Sequence, residues 1–163
     1  MASAVDVVIV HYDTPEHLRR CLALLCASPD DSVQKVVVVD NASPDRSVEA
    51  FPAVFPAVRF IFNRTNLGFA AGCNQGIAAG SSSLCLLLNP DALITAETLA
   101  ALRVTMATQE TAGVVAPRLV NPDGALQLSC RRFPTLLAVF LRALRLDRLC
   151  PAAVNRYLMR DAD

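Results

Sequence analysis

Short apolar runs alternate along this chain with segments whose apolar residues recur at helical spacing. The runs are rich in Val, Ile, Leu and Phe and predict strands over 5–10, 36–39, 58–62 and 84–88, with a shorter one over 114–116. The spaced patterns predict helices over 15–28, 45–50, 69–79 and 96–107, the first of them capped by Thr14. Strands of continuous apolar character that alternate with helices are typical of an α/β fold, a mostly parallel sheet with helices on both faces.

The pattern changes after residue 117. Asn121-Pro122-Asp123-Gly124 is typical of a turn, and an extended segment is expected over 125–132. Apolar residues at helical spacing then predict a helix over 136–149, whose other face carries several arginines. No repeat or low-complexity segment interrupts the chain.

Polar residues follow each of the four longer predicted strands, as His11-Tyr12-Asp13, Asp40-Asn41, Asn63-Arg64 and Asn89-Pro90-Asp91. The carboxyl ends of parallel strands meet at one edge of the sheet, and ligands of such folds bind outside that edge. We therefore expect a ligand site built from these four strand ends.

Each candidate motif allows two interpretations when it is taken alone. Asp40 either accepts hydrogen bonds from an imide N–H or a ribose hydroxyl, or it caps the next helix. Asp91 either holds a hard divalent cation or caps a proline turn. The three glycines of 66–76 either approach a phosphate or let a helix pack closely against a strand. Arg131 and Arg132 either clamp a diphosphate or form a solvated basic turn.

Composition narrows the classes of function. With 163 residues, of which 53% are hydrophobic and 18% charged, the chain can bury a large core. Its 15 basic residues balance 15 acidic ones, so no net field attracts nucleic acid. No Walker A loop, Ser–His–Asp arrangement or bilayer-spanning segment is visible, which argues against a P-loop ATPase, a hydrolase and an integral membrane protein. The six cysteines form no C-x-x-C pair and are expected to be reduced core residues, which indicates a cytoplasmic protein.

Taken in order, the strand-end motifs resemble the family-2 inverting glycosyltransferases of the GT-A fold, closest to their bacterial rhamnosyltransferase-like members. The resemblance is carried by Val8-Ile9-Val10-His11-Tyr12, Val39-Asp40-Asn41-Ala42-Ser43, Asn66-Leu67-Gly68-Phe69-Ala70-Ala71-Gly72-Cys73-Asn74 and Leu88-Asn89-Pro90-Asp91. The stretch from Asp123-Gly124 to Cys130-Arg131-Arg132-Phe133-Pro134 is also similar to this subgroup. We accordingly expect a nucleotide-sugar-binding GT-A portion over 1–135, followed by an amphipathic helix and tail over 136–163.

The resemblance implies a site for a UDP- or dTDP-linked sugar, formed by His11, Tyr12, Asp40, Asn41, Asn66, Gly68, Asn74, Asn89 and Asp91. In this scheme Tyr12 packs against the base or ribose, and Asp40 bonds the pyrimidine. Asp91 coordinates Mg²⁺ or Mn²⁺, which bridges the diphosphate. Arg131 and Arg132 add contacts to that diphosphate.

The sequence departs from the family pattern at two points. Asn89 stands where the family carries the first acid of its Asp-x-Asp motif, which lowers the expected charge at the cation. The Gly-Phe-Asp-Glu-like and Glu-Asp-x-Asp-like stretches that would carry the catalytic base do not occur, so no catalytic residue is predicted. We therefore expect the donor-binding portion, truncated on its C-terminal side, of an enzyme of cell-surface polysaccharide synthesis.

Partners follow from the same resemblance. The donor is a nucleotide sugar, the acceptor is a saccharide or a lipid-linked saccharide, and no nucleic acid is expected. The helix over 136–149 either faces the missing half or lies at the inner face of the membrane, and we favour the first. The alternative function is a catalytically inactive interaction or regulatory module, which keeps the fold and pairs with another chain or with a second copy.

Overall fold

The computed structural model describes residues 4–27, 31–127, 129, 132–144, 155 and 159. The chain forms two compact units, Met1–Val115 and Ala116–Asp163. The predicted boundary after residue 135 marks the end of the nucleotide-sugar-binding portion, whereas the boundary after Val115 separates compact units. The predicted boundary therefore stays a prediction.

The first unit is an α/β layer structure. Its elements are β1 (Val5–His11), α1 (Pro15–Ala27), β2 (Val33–Asp40), a 3-10 helix (Arg46–Ala50), α2 (Phe51–Val54), β3 (Val58–Phe62), α3 (Phe69–Ala79), β4 (Leu84–Leu87) and α4 (Ala96–Thr108). The strands form one parallel sheet in the order β3-β2-β1-β4. The four longer predicted strands and the predicted bounds of α3 are thereby confirmed.

Two local predictions are wrong. Residues 114–116 form no strand, and Val114 is 88% exposed, because so short an apolar run finds no neighbouring strand to supply ladder hydrogen bonds. Thr14 precedes α1 as expected, and its carbonyl accepts a hydrogen bond from the N–H of Leu18 at 3.1 Å. Its buried hydroxyl, however, has no hydrogen-bond partner among the described residues, so it does not cap the helix.

Both faces of the sheet are covered. Val7 and Ile9 of β1 pack with Leu18 and Leu22 of α1 in the larger core cluster. Val8 points to the opposite face, where α3 packs, because successive residues of a strand alternate between faces. The predicted helices on both faces are confirmed.

The close approach of α3 to β1 depends on two glycines. A Cβ at Gly76 would lie 2.2 Å from Cγ1 of Val8, and one at Gly72 would lie 2.9 Å from Cγ1 of Val10. Both distances are far below van der Waals contact, so only glycine fits at these positions. Of the two interpretations of the glycine motif, close helix packing is what Gly72 and Gly76 provide.

The cysteine prediction holds in part. Cys21 and Cys73 are buried free thiols, whereas Cys26 and Cys85 are free but exposed. The other two cysteines lie outside the described residues.

The second unit contains the predicted turn. The N–H of Gly124, at φ +82°, donates to the carbonyl of Asn121 at 2.9 Å, and Val120 pairs with Leu126 in an isolated antiparallel bridge. Within the described residues, α5 (Leu136–Ala143) is the first part of the helix predicted over 136–149. No helix in the described part of the chain combines the length and the apolar character needed to cross a membrane.

Candidate functional site

The parallel register brings the polar strand ends of the first unit together. His11 at the end of β1 lies opposite Asp40 at the end of β2, and Asp40 lies opposite Phe62 at the end of β3. Strand β4 pairs with the other side of β1, so Asn89 and Asp91 follow the strand on that side. The predicted convergence of the strand ends is therefore observed.

A cavity of about 450 Å³ opens beyond the ends of β2 and β3, and we call it the strand-end cavity. Its walls include Asp40, Ser43, Asp45, Arg46, Phe62 and Arg64. Arg46 is paired with Glu49 on the 3-10 helix. Arg64 lines the same cavity and forms no salt bridge with any residue that the structure describes. The cavity thus combines a carboxylate acceptor with a guanidinium donor.

Asp40 is only 7% exposed, and its carboxylate takes part in three hydrogen bonds. Its Oδ1 lies 2.8 Å from Nδ1 of His11 and accepts the hydroxyl proton of Ser43 at 2.5 Å. Its Oδ2 accepts one longer bond, from the N–H of Ser43 at 3.2 Å. Because Oδ1 has two close donors and Oδ2 has one distant donor, Oδ2 keeps the capacity to accept a hydrogen bond from a ligand.

The turns around Asp40 have unusual backbone. Ala42 has φ +64° and Asp13 has φ +53°, in the left-handed region that residues with a Cβ seldom occupy. The N–H of Asp13 donates to the hydroxyl of Ser43 at 2.9 Å, which links the two turns. The contacts of Ser43 hold both strained turns in one arrangement, as is typical of functional sites.

His11, predicted as a contact of the nucleotide sugar, is held inside the protein, and its predicted contact stays a prediction. Its side chain is completely buried, and its Nε2 accepts the N–H of Thr14 at 3.0 Å while Nδ1 lies against Asp40. With no exposed surface and both ring nitrogens in hydrogen bonds, the imidazole can act on a ligand only through Asp40.

Asn41 is likewise occupied within the protein. Its Oδ1 accepts hydrogen bonds from the N–H of Leu67 at 3.0 Å and the amide of Asn63 at 3.1 Å. Its amide group donates to Oδ1 of Asn66 at 2.9 Å and to the carbonyl of Gly68 at 3.2 Å. All four positions of the side-chain amide are filled, so Asn41 shapes the β3–α3 loop, residues 63–68, and leaves no atom for the predicted ligand contact.

Three further residues of the predicted nucleotide-sugar site, Asn66, Gly68 and Asn74, lie on that loop and on α3. Asn66 Oδ1 also accepts the N–H of Gly68, which has φ +83° immediately before α3, a conformation suited to glycine. Asn74 is exposed on α3. These three residues are placed on one side of the sheet edge, and their predicted role as a donor wall stays a prediction.

The predicted cation site lies after β4. Asn89 and Asp91 are exposed, and no three His, Cys, Asp or Glu side chains in the described part of the chain are grouped to hold a metal ion. Burial, and secondarily the charge of Asp91, raises the pKa of the Cys21 thiol to about 11. One carboxylate and one amide oxygen fit Mg²⁺ or Mn²⁺ when substrate phosphates and water complete the shell.

The last predicted contacts are those of Tyr12 with the base or ribose and of Arg131 and Arg132 with the diphosphate. Tyr12 is 48% exposed after β1, so its ring has a free face for a base or ribose. Arg131 lies outside the described residues, and Arg132 is exposed in the second unit.

The sequence places Arg64 among the polar strand ends but assigns no role to Ser43 or Gln75. Ser43 had a signal, since it follows Asp40 within a short turn. Gln75 exchanges two amide hydrogen bonds with Asn63, at 2.8 and 3.1 Å, and no local pattern pairs residues across a loop in this way.

Known proteins share this fold. The chain is similar to the mannosyltransferase PcManGT from Pyrobaculum calidifontis, solved with GDP-Man and Mn²⁺, with a TM-score of 0.59 and 22% identity over 76% of this chain and 37% of that one. S. aureus TarS gives a TM-score of 0.56 at 18% identity, over 72% of this chain and 24% of TarS. These likenesses confirm the expected GT-A fold.

Sequence comparison is more specific. The chain is 30% identical over 148 residues to the N-acetylglucosaminyl-diphospho-decaprenol L-rhamnosyltransferase of Mycobacterium tuberculosis, in strains CDC 1551 / Oshkosh and H37Rv. The match covers 84% of this chain and 48% of the relative, so the chain spans about half the length of these relatives. The sequence profile of glycosyl transferase family 2 matches residues 6–155. On this coverage and identity, the chain belongs to glycosyl transferase family 2.

Proposed function

We propose that this chain is the donor-binding portion of a glycosyltransferase that binds a UDP- or dTDP-linked sugar together with a divalent cation. The carrying observation is Asp40, which lines the strand-end cavity and whose Oδ2 accepts a single hydrogen bond, of 3.2 Å. Uracil and thymine each present one imide N–H, which an acceptor-only carboxylate oxygen complements. Arg64 adds a donor for a neighbouring carbonyl or phosphate oxygen.

The cation belongs with the diphosphate in this proposal. Asp91 would hold it, and Asn89 would offer an amide oxygen or bond a ribose hydroxyl. When bound, Mg²⁺ or Mn²⁺ neutralises the charge that develops on the leaving nucleoside diphosphate. Tyr12 would pack against the base or ribose, with residues 66–74 as the wall for the sugar.

The acceptor side rests on the relatives. The M. tuberculosis relative is named for L-rhamnosyl transfer to a lipid-linked diphosphate acceptor. By analogy we infer an inverting transfer to a lipid-linked saccharide at the inner face of the membrane, in cell-surface polysaccharide synthesis. In this scheme 1–135 binds the donor, and 136–163 leads towards the acceptor side. Family membership favours this function over an inactive interaction module.

Calorimetric titration of the purified chain with UDP, dTDP, CDP and GDP, each with and without Mn²⁺, tests the proposal. We expect Mn²⁺-enhanced binding of UDP or dTDP at least about tenfold tighter than CDP, since cytosine N3 is an acceptor and repels the Asp40 carboxylate. GDP controls for a pocket that accepts any base with a ring N–H. A folded chain that binds none of the four, or prefers CDP, contradicts the proposal.

A further inference from the structure

His11 and Asp40 form a buried polar pair at the ends of two neighbouring strands of the sheet. The His11 side chain is 0% exposed, and the two residues lie opposite each other in the parallel register of β1 and β2. The pair buries an imidazole and a carboxylate, which costs free energy unless every polar atom is hydrogen-bonded. The question is what this arrangement provides.

The hydrogen bonds fix which ring nitrogen carries the proton. The N–H of Thr14 can only donate, and it lies 3.0 Å from Nε2, so Nε2 is the unprotonated nitrogen. A neutral imidazole then carries its proton on Nδ1, 2.8 Å from Oδ1 of Asp40. His11 is therefore a donor to the carboxylate, and its tautomer is set by the backbone of the first turn.

The two donors on Oδ1 also fix the rotation of the carboxylate. The hydroxyl of Ser43 donates to the same oxygen at 2.5 Å and is itself held by the N–H of Asp13 at 2.9 Å. Asp40 lines the strand-end cavity, and with Oδ1 anchored to β1 and to its own turn, Oδ2 is the oxygen that keeps the capacity to accept a ligand's hydrogen bond. Without the imidazole donor, only the two hydrogen bonds from Ser43 would orient the carboxylate.

We propose that His11 is a positioning residue for base recognition. It holds Asp40 as an acceptor with Oδ2 directed to the ligand, and so sets the preference for a base that donates an N–H. The inference rests on the proposed function, because it assigns His11 a part in the same nucleotide site. It acts through Asp40, since the imidazole has no exposed surface.

Two substitutions separate hydrogen-bond donation from simple packing. His11→Asn keeps an N–H near the place of Nδ1, whereas His11→Leu fills space without a donor. His17→Leu is the matched control, because His17 is the exposed histidine of α1. We expect His11→Leu to weaken UDP binding about tenfold and to reduce the UDP-over-CDP preference, and His11→Asn to keep both within about threefold.

The outcomes separate this inference from the proposed function. A folded His11→Leu protein with the parental UDP-over-CDP preference, or a His11→Asn protein as impaired as His11→Leu, overturns it. If His11→Leu does not fold, the ¹⁵N chemical shifts of the wild-type imidazole decide: a proton on Nδ1 supports the inference, and one on Nε2 overturns it. A wild-type chain that binds no nucleotide contradicts the proposed function, while the same shifts still test the hydrogen bond to Asp40.

Discussion

Two buried carboxylates stand at opposite ends of the same sheet, Asp6 at the start of β1 and Asp40 at the end of β2. They are 3% and 7% exposed, and each accepts three hydrogen bonds. Asp6 takes its bonds from the N–H groups of Ser81 and Ser82, at 2.6 and 2.8 Å, and from the Ser82 hydroxyl at 2.9 Å. Burial and hydrogen-bond count alone do not tell the two apart.

The difference lies in what surrounds the two carboxylates. For Asp6, backbone lies so close to the carboxylate that a Cβ on Gly80 would be 2.5 Å from Oδ2, which already accepts two N–H groups. Asp40 instead lines a cavity, and its Oδ2 accepts only one bond, of 3.2 Å. A buried carboxylate enclosed by backbone holds a loop in place, whereas one that borders a cavity is available to a ligand. Substitutions of Asp6 and of Asp40 test this difference separately.

The largest effect is expected from Asp6→Ala, which should lower the free energy of unfolding by about 3 kcal/mol, because three part-buried donors lose their acceptor. UDP affinity of the folded fraction should stay at the parental value. Urea denaturation monitored by circular dichroism, with a UDP titration of the same sample, measures both. A loss of UDP affinity without a loss of stability would reverse the roles assigned to the two carboxylates.

Acid titration sharpens the same prediction. Burial raises the pKa of Asp6, but the hydrogen bonds from Ser82 and Ser81 outweigh it, so the pKa lies below its usual value. The folded state then binds the proton less readily than the unfolded chain, whose Asp pKa is about 3.9. The stability from Asp6 is complete above that pH and is lost as the pH falls through the folded value. The gap between wild type and Asp6→Ala should therefore narrow below about pH 4.

An intermediate effect is expected from Asp40→Asn, on ligand choice more than on stability. The donors of His11 and Ser43 keep the amide oxygen at the place of Oδ1, which puts the NH₂ group at the cavity. UDP binding should weaken by about 1.5–3 kcal/mol, and preference should shift towards CDP, whose N3 accepts a hydrogen bond. Competitive titration of the two nucleotides measures the ratio. An unchanged ratio in the folded variant would exclude Asp40 from the base site.

The smallest effect on stability is expected from Asp91→Ala, within about 0.5 kcal/mol, because the side chain is exposed. If Asp91 holds the cation, the variant should lose the Mn²⁺ enhancement of UDP binding, about tenfold in affinity, and keep its metal-free affinity. Glu97→Ala on α4 is a matched exposed-acid control. Retained Mn²⁺ enhancement in Asp91→Ala would place the cation elsewhere.

The strands of the sheet can be predicted from the sequence more completely than the side-chain contacts of the candidate site. Apolar runs and the spacing of α3 predict the strands, because a buried parallel strand needs a continuous apolar run. The polar strand ends predict where a ligand site lies. The occupied roles of His11 and Asn41 were not predictable, because all of their partners except Thr14 are 22 to 32 residues away and depend on strand register and loop path. The run 114–116 shows that an apolar run alone does not predict a strand, since a strand also needs a neighbouring strand to pair with.

The glycines under α3 also determine how the proposed donor wall, residues 66–74, can move. Sliding α3 along β1 by one residue would replace Gly72 and Gly76 with residues that carry a Cβ, where Val10 and Val8 leave no room. The helix thus has one permitted axial position, and the β3–α3 loop is tethered to it and to Asn41. If these residues form the donor wall, the wall is a preformed docking surface. We then expect nucleotide arrival at this side of the site to be a single-step encounter limited by diffusion and orientation.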